Sequence, residues 1–346
     1  MDIYQRIDSF GFLGDHLRRF HENSNEPDIL SLVQAARLAY AENPWFTPEN
    51  IRIALNNLGE ALNSEKLSSW ISGYHEKFEK PLLQKTIGVV MAGNIPAVGF
   101  HDFMCVLIAG HKIKARLSAT DARLLPAMAD ILTGYLPEWK EKITFTSGRL
   151  ENFDAIIATG SDNTSRYFEY YFGKYPHIIR KNRNSIAIIT GDESALDLQK
   201  LADDIMLFFG MGCRSISKVY VPEGYDFTFL VGALQKYEQY ANHNKYRNNY
   251  DYFKSIFMVN QVPVIDTGCL LLKEDQSVTS RIAVLHYERY ANISDVLAAV
   301  KINRKMIQCI VSKSPLPFRY AFPGNAQHPD LWDYADEVDT LGFLLS

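Results

Sequence analysis

Short β-branched runs alternate with helical segments from Thr86 onward, and this alternation constrains the fold more than any other feature of the sequence. The runs cover residues 87–92, 112–116, 143–146 and 154–158, and a helix or a connection fits after each of the first three. Such crossovers join parallel strands, so the pattern predicts an α/β fold built on an open, largely parallel sheet covered on both faces. Ligands of these sheets bind beyond the carboxyl ends of the strands. The residues that follow each run are therefore the first candidates for a functional site.

Residues 1–80 have helical periodicity instead, and no catalytic motif stands out among them. Thr47 followed by Pro48 is typical of an N-cap with proline at the first helical position, which predicts a helix that begins there. We expect this helical region to pack on the sheet domain or to cover the substrate.

Charge and composition exclude several classes of function. The net charge is -4 and the pI is about 6.2, whereas a nucleic-acid partner would require a basic surface. The start of the chain lacks the apolar segment behind a basic tip that marks a secretory signal, and no run of about 18 apolar residues predicts a membrane span. Cys105, Cys213, Cys269 and Cys309 are too dispersed for a metal motif or a disulfide framework. We expect a cytoplasmic protein with no nucleic-acid partner, no membrane span and no metal.

One of these cysteines lies in a stretch with a clear local pattern, residues 193–222. An apolar helical face is predicted from Leu198, Leu201, Ala202, Ile205 and Phe208. Gly210 and Gly212 are expected to end this helix, and the alternation after Cys213 predicts a strand over residues 215–221. A thiol on such a bend is well placed to attack a carbonyl, and Arg214, a helix terminus or a cationic cofactor could lower its pKa. The alternative is a small, buried, apolar cysteine.

Polar residues follow the first two predicted strands. Asn94, between Gly93 and Pro96, has an amide that could donate to a developing oxyanion or could simply form an Asx turn. Lys114 and Arg116, at the end of the second run, could meet a phosphate or remain solvated. The residues that come next, Ser118, Thr120 and Asp121, are ordinary for the start of a helix.

The turn after the fourth run, Thr159-Gly160-Ser161, opens another predicted helix. A small turn at a helix N-terminus is a ready anion site, because its backbone N–H groups are free and the positive end of the helix dipole lies there. The G-x-G-x-x-G and P-loop patterns are both absent, so the turn alone does not identify a nucleotide.

Four of these pieces, taken in order, resemble the aldehyde dehydrogenase superfamily and, more closely, its acyl-CoA reductase family, typified by the LuxC-like fatty-acid reductase of bacterial luminescence. Residues 93–96 are similar to the loop that carries the family's oxyanion asparagine. Residues 114–118 look like the strand end that meets the adenosine half of the cofactor, and residues 159–161 resemble the turn under the cofactor phosphates. Residues 212–222 resemble the nucleophile and the strand after it. The resemblance covers residues 86–222 well and the remainder loosely.

The resemblance implies an acyl-CoA substrate that NADPH reduces to an aldehyde through a thioester on Cys213. It implies that Asn94 and the backbone N–H of Cys213 hold the oxyanion. The residues that it assigns to the cofactor are Lys114, Arg116, Ser118, Thr159, Gly160 and Ser161.

The identity of the cofactor depends on one position. NAD-selective relatives have an acidic residue just after the second strand, where this sequence has Ala119, and Arg116 lies just before it. We therefore expect NADPH to be preferred over NADH. The alternative is that Arg116 is solvated and that either cofactor is accepted.

Two departures from the family pattern bear on the reaction. Aldehyde-oxidising members carry a glutamate base well ahead of the cysteine, and residues 178–182 of this sequence have no carboxylate there. Without a base to activate water, a thioester would not be hydrolysed quickly, which favours a reductase. The Glu-x-Phe-Gly-Pro motif that holds the nicotinamide ribose is also missing, and Glu274 is either its substitute in the cofactor site or a solvated loop carboxylate.

The predicted fold is therefore aldehyde dehydrogenase-like, with a cofactor-binding open parallel sheet domain and a second α/β domain. We divide the chain into a helical region packed on the cofactor domain (1–80), a dinucleotide-binding domain (81–183), a catalytic domain (184–314) and a C-terminal segment (315–346). Two other functions stay open on this fold, a non-reducing acyl-binding or acyl-transfer subunit and an aldehyde-oxidising dehydrogenase. A homo-oligomer and an acyl-donor protein partner are also left open.

Overall fold

The structure, a computed structural model, describes residues 1–81 and 83–346 of the chain. The strands are β1 (Thr86–Val90), β2 (Lys112–Arg116), β3 (Ile143–Thr146), β4 (Ala155–Thr159), β5 (His177–Arg180), β6 (Asn184–Ile188), β7 (Ile216–Pro222), β8 (Val264–Asp266), β9 (Leu271–Glu274), β10 (Val284–Tyr290) and β11 (Ile307–Ser312). The helices are α1 (Ile3–Arg18), α2 (Leu30–Glu42), α3 (Pro48–Ala61), α4 (Ser64–Ser72), α5 (His75–Phe78), α6 (Phe100–Ile108), α7 (Leu124–Tyr135), α8 (Asp162–Phe172), α9 (Ala195–Met206), α10 (Thr228–Leu234), α11 (Asn244–Val259), α12 (Ile293–Ile302) and α13 (Thr340–Leu344).

The described residues form two compact units. Unit 1 comprises Met1–Asn182 and Pro329–Ser346, and unit 2 comprises Arg183–His328. Within the described residues, no helix combines the length and the apolar character needed to cross a bilayer.

Unit 1 is built on a parallel sheet with the strand order β3-β2-β1-β4-β5. All four neighbouring pairs are parallel, as the alternation of strands and helices predicts. Consecutive residues of the central strands β1 and β4 are buried, so both faces of these strands are covered, and this burial explains their β-branched and alanine-rich sequences. Since β1 lies between β2 and β4, the loops after these three strands leave the sheet at the same edge.

The helical start and the end of the chain belong to this same unit. Thr47 caps α3 as predicted, because its Oγ1 accepts a hydrogen bond from the Asn50 N–H at 3.2 Å. In the final segment, the Tyr334 hydroxyl accepts a hydrogen bond from the Trp70 Nε1–H at 2.7 Å, and Arg180 donates to the Thr340 Oγ1 at 2.7 Å. These contacts fix residues 329–346 to unit 1.

Unit 2 contains a six-stranded sheet with the order β11-β6-β7-β10-β9-β8, in which only β8 and β9 pair antiparallel. Two local predictions are corrected here. The apolar run of residues 282–285 predicts a strand from Ile282, but β10 begins only at Val284, because Ala283 has a left-handed φ of 62°. Glu274, expected in a loop if it does not serve the cofactor, is the last residue of β9.

Candidate active site

Cys213 lies at a corner of a tight turn in unit 2. The turn is closed by a hydrogen bond from the Ser215 N–H to the Gly212 carbonyl at 3.0 Å, and the Gly212 N–H donates to the Ser215 Oγ at 3.2 Å. Of the four cysteines, all of which lie in the described part of the chain, Cys213 alone is exposed. The apolar-cysteine alternative therefore does not describe this residue, although its role as a nucleophile remains a prediction.

The chain approaches this turn through a left-handed segment. The predicted helix ends at Met206, before Gly210, because Phe208 and Phe209 both have a φ of 57° and Gly210 has a φ of 70°. Left-handed backbone is unfavourable for phenylalanine and persists only where tertiary contacts hold it. Phe209 is buried, and its ring centroid lies 4.3 Å from that of Tyr240 and 4.6 Å from that of His243. Packing of this ring explains why the helix ends where it does.

The residues that follow Cys213 tie the turn to another loop of unit 2. The Arg214 Nε–H donates to the Ala326 carbonyl at 2.5 Å, and the Gln327 Nε2–H donates to the Ser215 Oγ at 3.2 Å. Asp204, on α9, accepts from the N–H groups of Gly324 at 2.7 Å and Ala326 at 3.0 Å. This buried carboxylate thus fixes the loop against which Arg214 rests.

Asp204 should make the free energy of unfolding fall as the pH rises from about 4 to about 7. Burial, which outweighs its two N–H donors, raises the pKa of the Asp204 carboxyl from 3.8 to about 7. In this window the folded protein keeps a proton that the unfolded chain has lost, so the stability decreases with pH and becomes constant above about 7. Melting temperatures of the wild type and of Asp204→Asn, which does not titrate, test this. Across the window, the wild type should lose several degrees relative to the variant, and a difference independent of pH would contradict the expectation.

In unit 1, Asn94 is exposed on a loop that is held at both ends. The Gly93 carbonyl accepts from the Thr120 Oγ1–H at 2.7 Å, and the Ala97 N–H donates to the Asp121 carboxylate at 2.7 Å. Gly93 has no room for a side chain, since a Cβ there would lie 2.5 Å from the Ser118 Oγ. Asn94 is therefore presented by a loop with fixed ends, which suits a donor that must be in place before charge develops.

Ser118, Thr120 and Asp121 do not start a helix, which corrects the expectation from their sequence. The next helix, α7, begins only at Leu124, and no side chain caps it. Asp121 is buried instead, and this burial raises the pKa of its carboxyl to about 6. Sequence reasoning missed both Asp121 and Asp204 as supports of the candidate site, because no local pattern marks a carboxylate that will be buried against a distant loop.

The two basic residues of β2 have different surroundings. The Lys114 Nζ donates to the Glu151 backbone carbonyl at 2.8 Å, so this ammonium group already has a hydrogen-bond partner within the protein. Arg116 lies at the end of the strand, beside Val90 of β1, and is exposed. Its guanidinium forms no hydrogen bond or ion pair with any residue of the described chain. Arg116 is therefore available to a ligand anion, whereas Lys114 is already engaged.

The turn of residues 159–161 follows β4, which pairs in parallel with β1 on the side opposite β2. The turn therefore lies at the same carboxyl edge of the sheet as Arg116. The turn opens α8 as predicted, and Ser161 is its N-cap, with an Oγ that accepts from the Thr164 N–H at 3.3 Å. A Cβ on Gly160 would lie 2.9 Å from the Phe168 ring, so glycine allows the backbone to approach the helix closely. The predicted cofactor residues of unit 1 thus lie at one edge of the sheet, on either side of β1, with Lys114 set back along its strand.

Glu274 is exposed at the end of β9 in unit 2, beside Tyr287 of β10. Burial, together with the nearby Glu274 carboxylate, raises the pKa of the Tyr287 hydroxyl. By strand register, Glu274 is level with Val219, three residues beyond the start of β7. Val219 is about 10 Å along the strand from Ile216, the first residue of β7, which follows the Cys213 turn. The structure therefore does not bring Glu274 next to Cys213, and its cofactor role remains a prediction.

The segment that lacks the glutamate base forms part of β5. Its Arg180 is buried and forms an ion pair with Asp102, at 2.5 Å, in addition to its bond to Thr340. Asp102 raises the pKa of Arg180, although burial alone would lower it. Arg180 is thus a structural cation of unit 1.

Comparisons with known proteins identify the fold. No protein-family model matches the chain, and no curated protein sequence matches it. Among solved structures, the AldA indole-3-acetaldehyde dehydrogenase of P. syringae, in complex with NAD+ and IAA, is similar with a TM-score of 0.63 and 11% identity over 92% of this chain and 73% of that one. The aldehyde dehydrogenase KauB of Pseudomonas aeruginosa is similar with a TM-score of 0.63 and 12% identity over 91% and 73% of the two chains.

An aldehyde dehydrogenase of Mycobacterium tuberculosis, complexed with NAD+, is also similar, with a TM-score of 0.61 and 13% identity over 90% of this chain and 73% of that one. At such low identity these likenesses show the fold alone. The chain has an aldehyde dehydrogenase-like fold, and the predicted fold class is confirmed.

Proposed function

We propose that this chain, with its aldehyde dehydrogenase-like fold, is an NADPH-dependent reductase that converts an acyl-CoA to an aldehyde through a thioester on Cys213. The observation that carries the proposal is the position of Cys213 as the exposed cysteine of the chain, at the corner of a turn fixed by Arg214 and Ser215. Exposed thiols on such turns can reach an electrophilic carbon, whereas the three buried cysteines cannot.

Unit 1 has features that fit a nicotinamide dinucleotide. Arg116 is exposed and unpaired among the described residues, and the backbone of Gly160 and Ser161 opens α8 at the same sheet edge. These groups would hold phosphate oxygens, the guanidinium by bidentate bonds and the helix N-terminus by its N–H groups. Two of the similar structures bind NAD+, which supports a cofactor of this class. When bound, the cofactor supplies the hydride.

The residues of the chain would perform the other steps. The Cys213 thiolate attacks the thioester carbonyl, a new C–S bond forms, and the bond to coenzyme A breaks so that its thiolate leaves and takes up a proton. The Asn94 amide donates to the oxyanion of this step. After reduction of the acyl carbon, the hemithioacetal on Cys213 loses its proton and its C–S bond breaks, which releases the aldehyde and restores the thiolate.

A panel of acyl-CoA thioesters of different chain length, incubated with NADPH and assayed for aldehyde, tests the proposal. Turnover of at least one thioester is expected, and no turnover on any chain length would refute it. Covalent labelling by acyl-CoA without later reduction would instead favour the acyl-transfer subunit.

Aldehyde oxidation is the second candidate, because the similar structures are aldehyde dehydrogenases. Residues 178–182 argue against it, since they carry no carboxylate and Arg180 among them is engaged in a buried ion pair. The same preparation, given aldehydes with NAD+ or NADP+, separates the two candidates. Oxidation faster than acyl-CoA reduction would favour the second.

Cofactor preference should change with one substitution. Ala119 is exposed three residues after Arg116, so Ala119→Glu adds a carboxylate near the proposed 2′-phosphate at a solvent-facing position. We expect kcat/KM with NADPH to fall roughly tenfold relative to NADH, as about 1.4 kcal/mol of charge repulsion would produce. Ala119→Gln, of the same size without the charge, is the matched control and should change the ratio little. Equal efficiency with both cofactors in the wild type would contradict the preference.

A further inference from the structure

Ser185 contacts the backbone of Cys213 from the interior of unit 2. It lies on β6, is completely buried, and its Oγ–H donates to the Cys213 carbonyl at 2.9 Å. The accepting carbonyl belongs to the peptide bond between Cys213 and Arg214. The hydrogen bond therefore restricts rotation of this peptide unit at the corner of the turn. Nothing in the local sequence around Ser185 predicts the contact, because 28 residues separate the two positions.

A β-bulge between β6 and β7 gives Ser185 a second connection. Ser185 is opposite Ile216 and Ile186 is opposite Lys218, which leaves Ser217 as the extra residue of β7. Bulges redirect a side chain from its expected face. The Ser217 Oγ accordingly lies 3.2 Å from the Ser185 carbonyl oxygen and 2.7 Å from the Val278 carbonyl oxygen, to either of which its proton can be donated.

The segment reached by Ser217 is itself held by buried groups. The Lys218 ammonium, completely buried, donates to the Gln276 carbonyl at 2.7 Å and pairs with Glu288. The His286 Nδ1–H donates to the Ser277 carbonyl at 3.0 Å. The carbonyls of Gln276 and Ser277 therefore accept from side chains of β7 and β10, and the Val278 carbonyl that follows them is one of the two possible acceptors for the Ser217 hydroxyl. Since the Ser185 carbonyl is the other, Ser185 lies between the exposed turn and a fixed part of the unit.

We propose that Ser185 is a positioning residue that fixes the direction in which Cys213 presents its sulfur. The proposal rests on Cys213 being the nucleophile of the proposed function. An oriented attack on a carbonyl loses rate when the attacking atom is displaced by even about 1 Å. The Ser185 bond restrains the Cys213 carbonyl itself, whereas the contacts of Arg214 and Ser215 hold the residues that follow Cys213.

The test measures acylation of Cys213 by 4-nitrophenyl acetate, which releases nitrophenolate and needs neither coenzyme A nor a nicotinamide cofactor. In Ser185→Ala we expect the acylation burst to slow roughly tenfold. Alkylation by iodoacetamide, which attacks from many directions, should stay within about twofold of wild type. A loss of both reactions together, or of neither, would overturn the proposal.

Ser312 provides the matched control. It is equally buried, lies on the neighbouring strand β11, and its Oγ–H donates to a backbone carbonyl, that of Ser314, at 2.9 Å. Ser312→Ala should leave acylation unchanged, and a tenfold loss there would show general softening of the unit and overturn the proposal. Should Ser185→Ala fail to fold, Ser217→Ala should show the same selective loss of acylation, smaller in size, and its absence would overturn the proposal too. If nitrophenyl acetate acylates Cys213 and no acyl-CoA does, the proposed function fails while the role of Ser185 stands.

Discussion

Replacing Cys213 by alanine is expected to abolish acylation of the protein by acyl-CoA and to lower aldehyde formation at least about a thousandfold. The reason is that no water or neighbouring side chain can replace a thiolate that forms a covalent intermediate. The other three cysteines are buried and cannot substitute for it. Intact-protein mass spectrometry after incubation with acyl-CoA reports the adduct directly, and NADPH consumption reports turnover.

Two further variants separate loss of the nucleophile from loss of structure. Cys213→Ser keeps the size of the side chain and should be nearly as inactive, because a hydroxyl is a much weaker nucleophile than a thiol at neutral pH. Cys269→Ala removes a buried thiol from the same unit and should retain the acyl adduct. Cofactor binding should survive in all three proteins, and near-normal acylation of Cys213→Ala would disprove the assignment.

Replacing Asn94 by alanine should lower kcat by roughly a hundredfold or more, the loss that accompanies removal of one oxyanion donor. The fold should persist, since the side chain is exposed and the loop is anchored by Gly93 and Ala97 through Thr120 and Asp121. Steady-state kinetics together with thermal unfolding measure both effects. A variant with full activity would return Asn94 to a turn-forming role.

Asn94→Asp makes the distinction sharper. Aspartate forms an Asx turn as well as asparagine does, so a merely structural Asn94 would tolerate it. As an oxyanion donor, however, a carboxylate has no N–H to give and repels the developing charge. We therefore expect Asn94→Asp to be at least as impaired as Asn94→Ala, and wild-type activity in the aspartate variant would contradict the proposed role.

Local sequence patterns located many elements of the fold. The strand of residues 112–116 and that of residues 143–146 have the predicted bounds, and Pro48 begins α3 as expected. These features depend on neighbours in the chain, namely β-branched runs, an N-cap and a proline at the first helical position. The order of the pieces around Asn94, Arg116, Ser161 and Cys213 was sufficient to predict the fold class that the comparisons confirm.

The end of α9 shows where such patterns fail. Gly210 marks a helix end in sequence, but the helix stops at Met206 because the ring of Phe209 packs between residues more than thirty positions away. Propensity is a weak preference of a fraction of a kcal/mol to about 1 kcal/mol per residue, and burial of one aromatic ring outweighs it. No window of local sequence contains that contact.

The sequence by itself determined which residues could do chemistry, since it shows a cysteine on a glycine-flanked bend, an asparagine after a predicted strand and an arginine at the end of another. Only the tertiary structure decided which of them are accessible and what supports them. Cys213 is exposed and the other three cysteines are buried. Lys114 bonds to the Glu151 carbonyl, whereas Arg116 is open to a ligand anion. Asp121, Asp204 and Ser185 are buried and hold the backbone of the candidate loops or of the loop beside them. Burial and hydrogen bonding of these groups arise between residues far apart in the chain, so they follow from packing and leave no trace in local sequence.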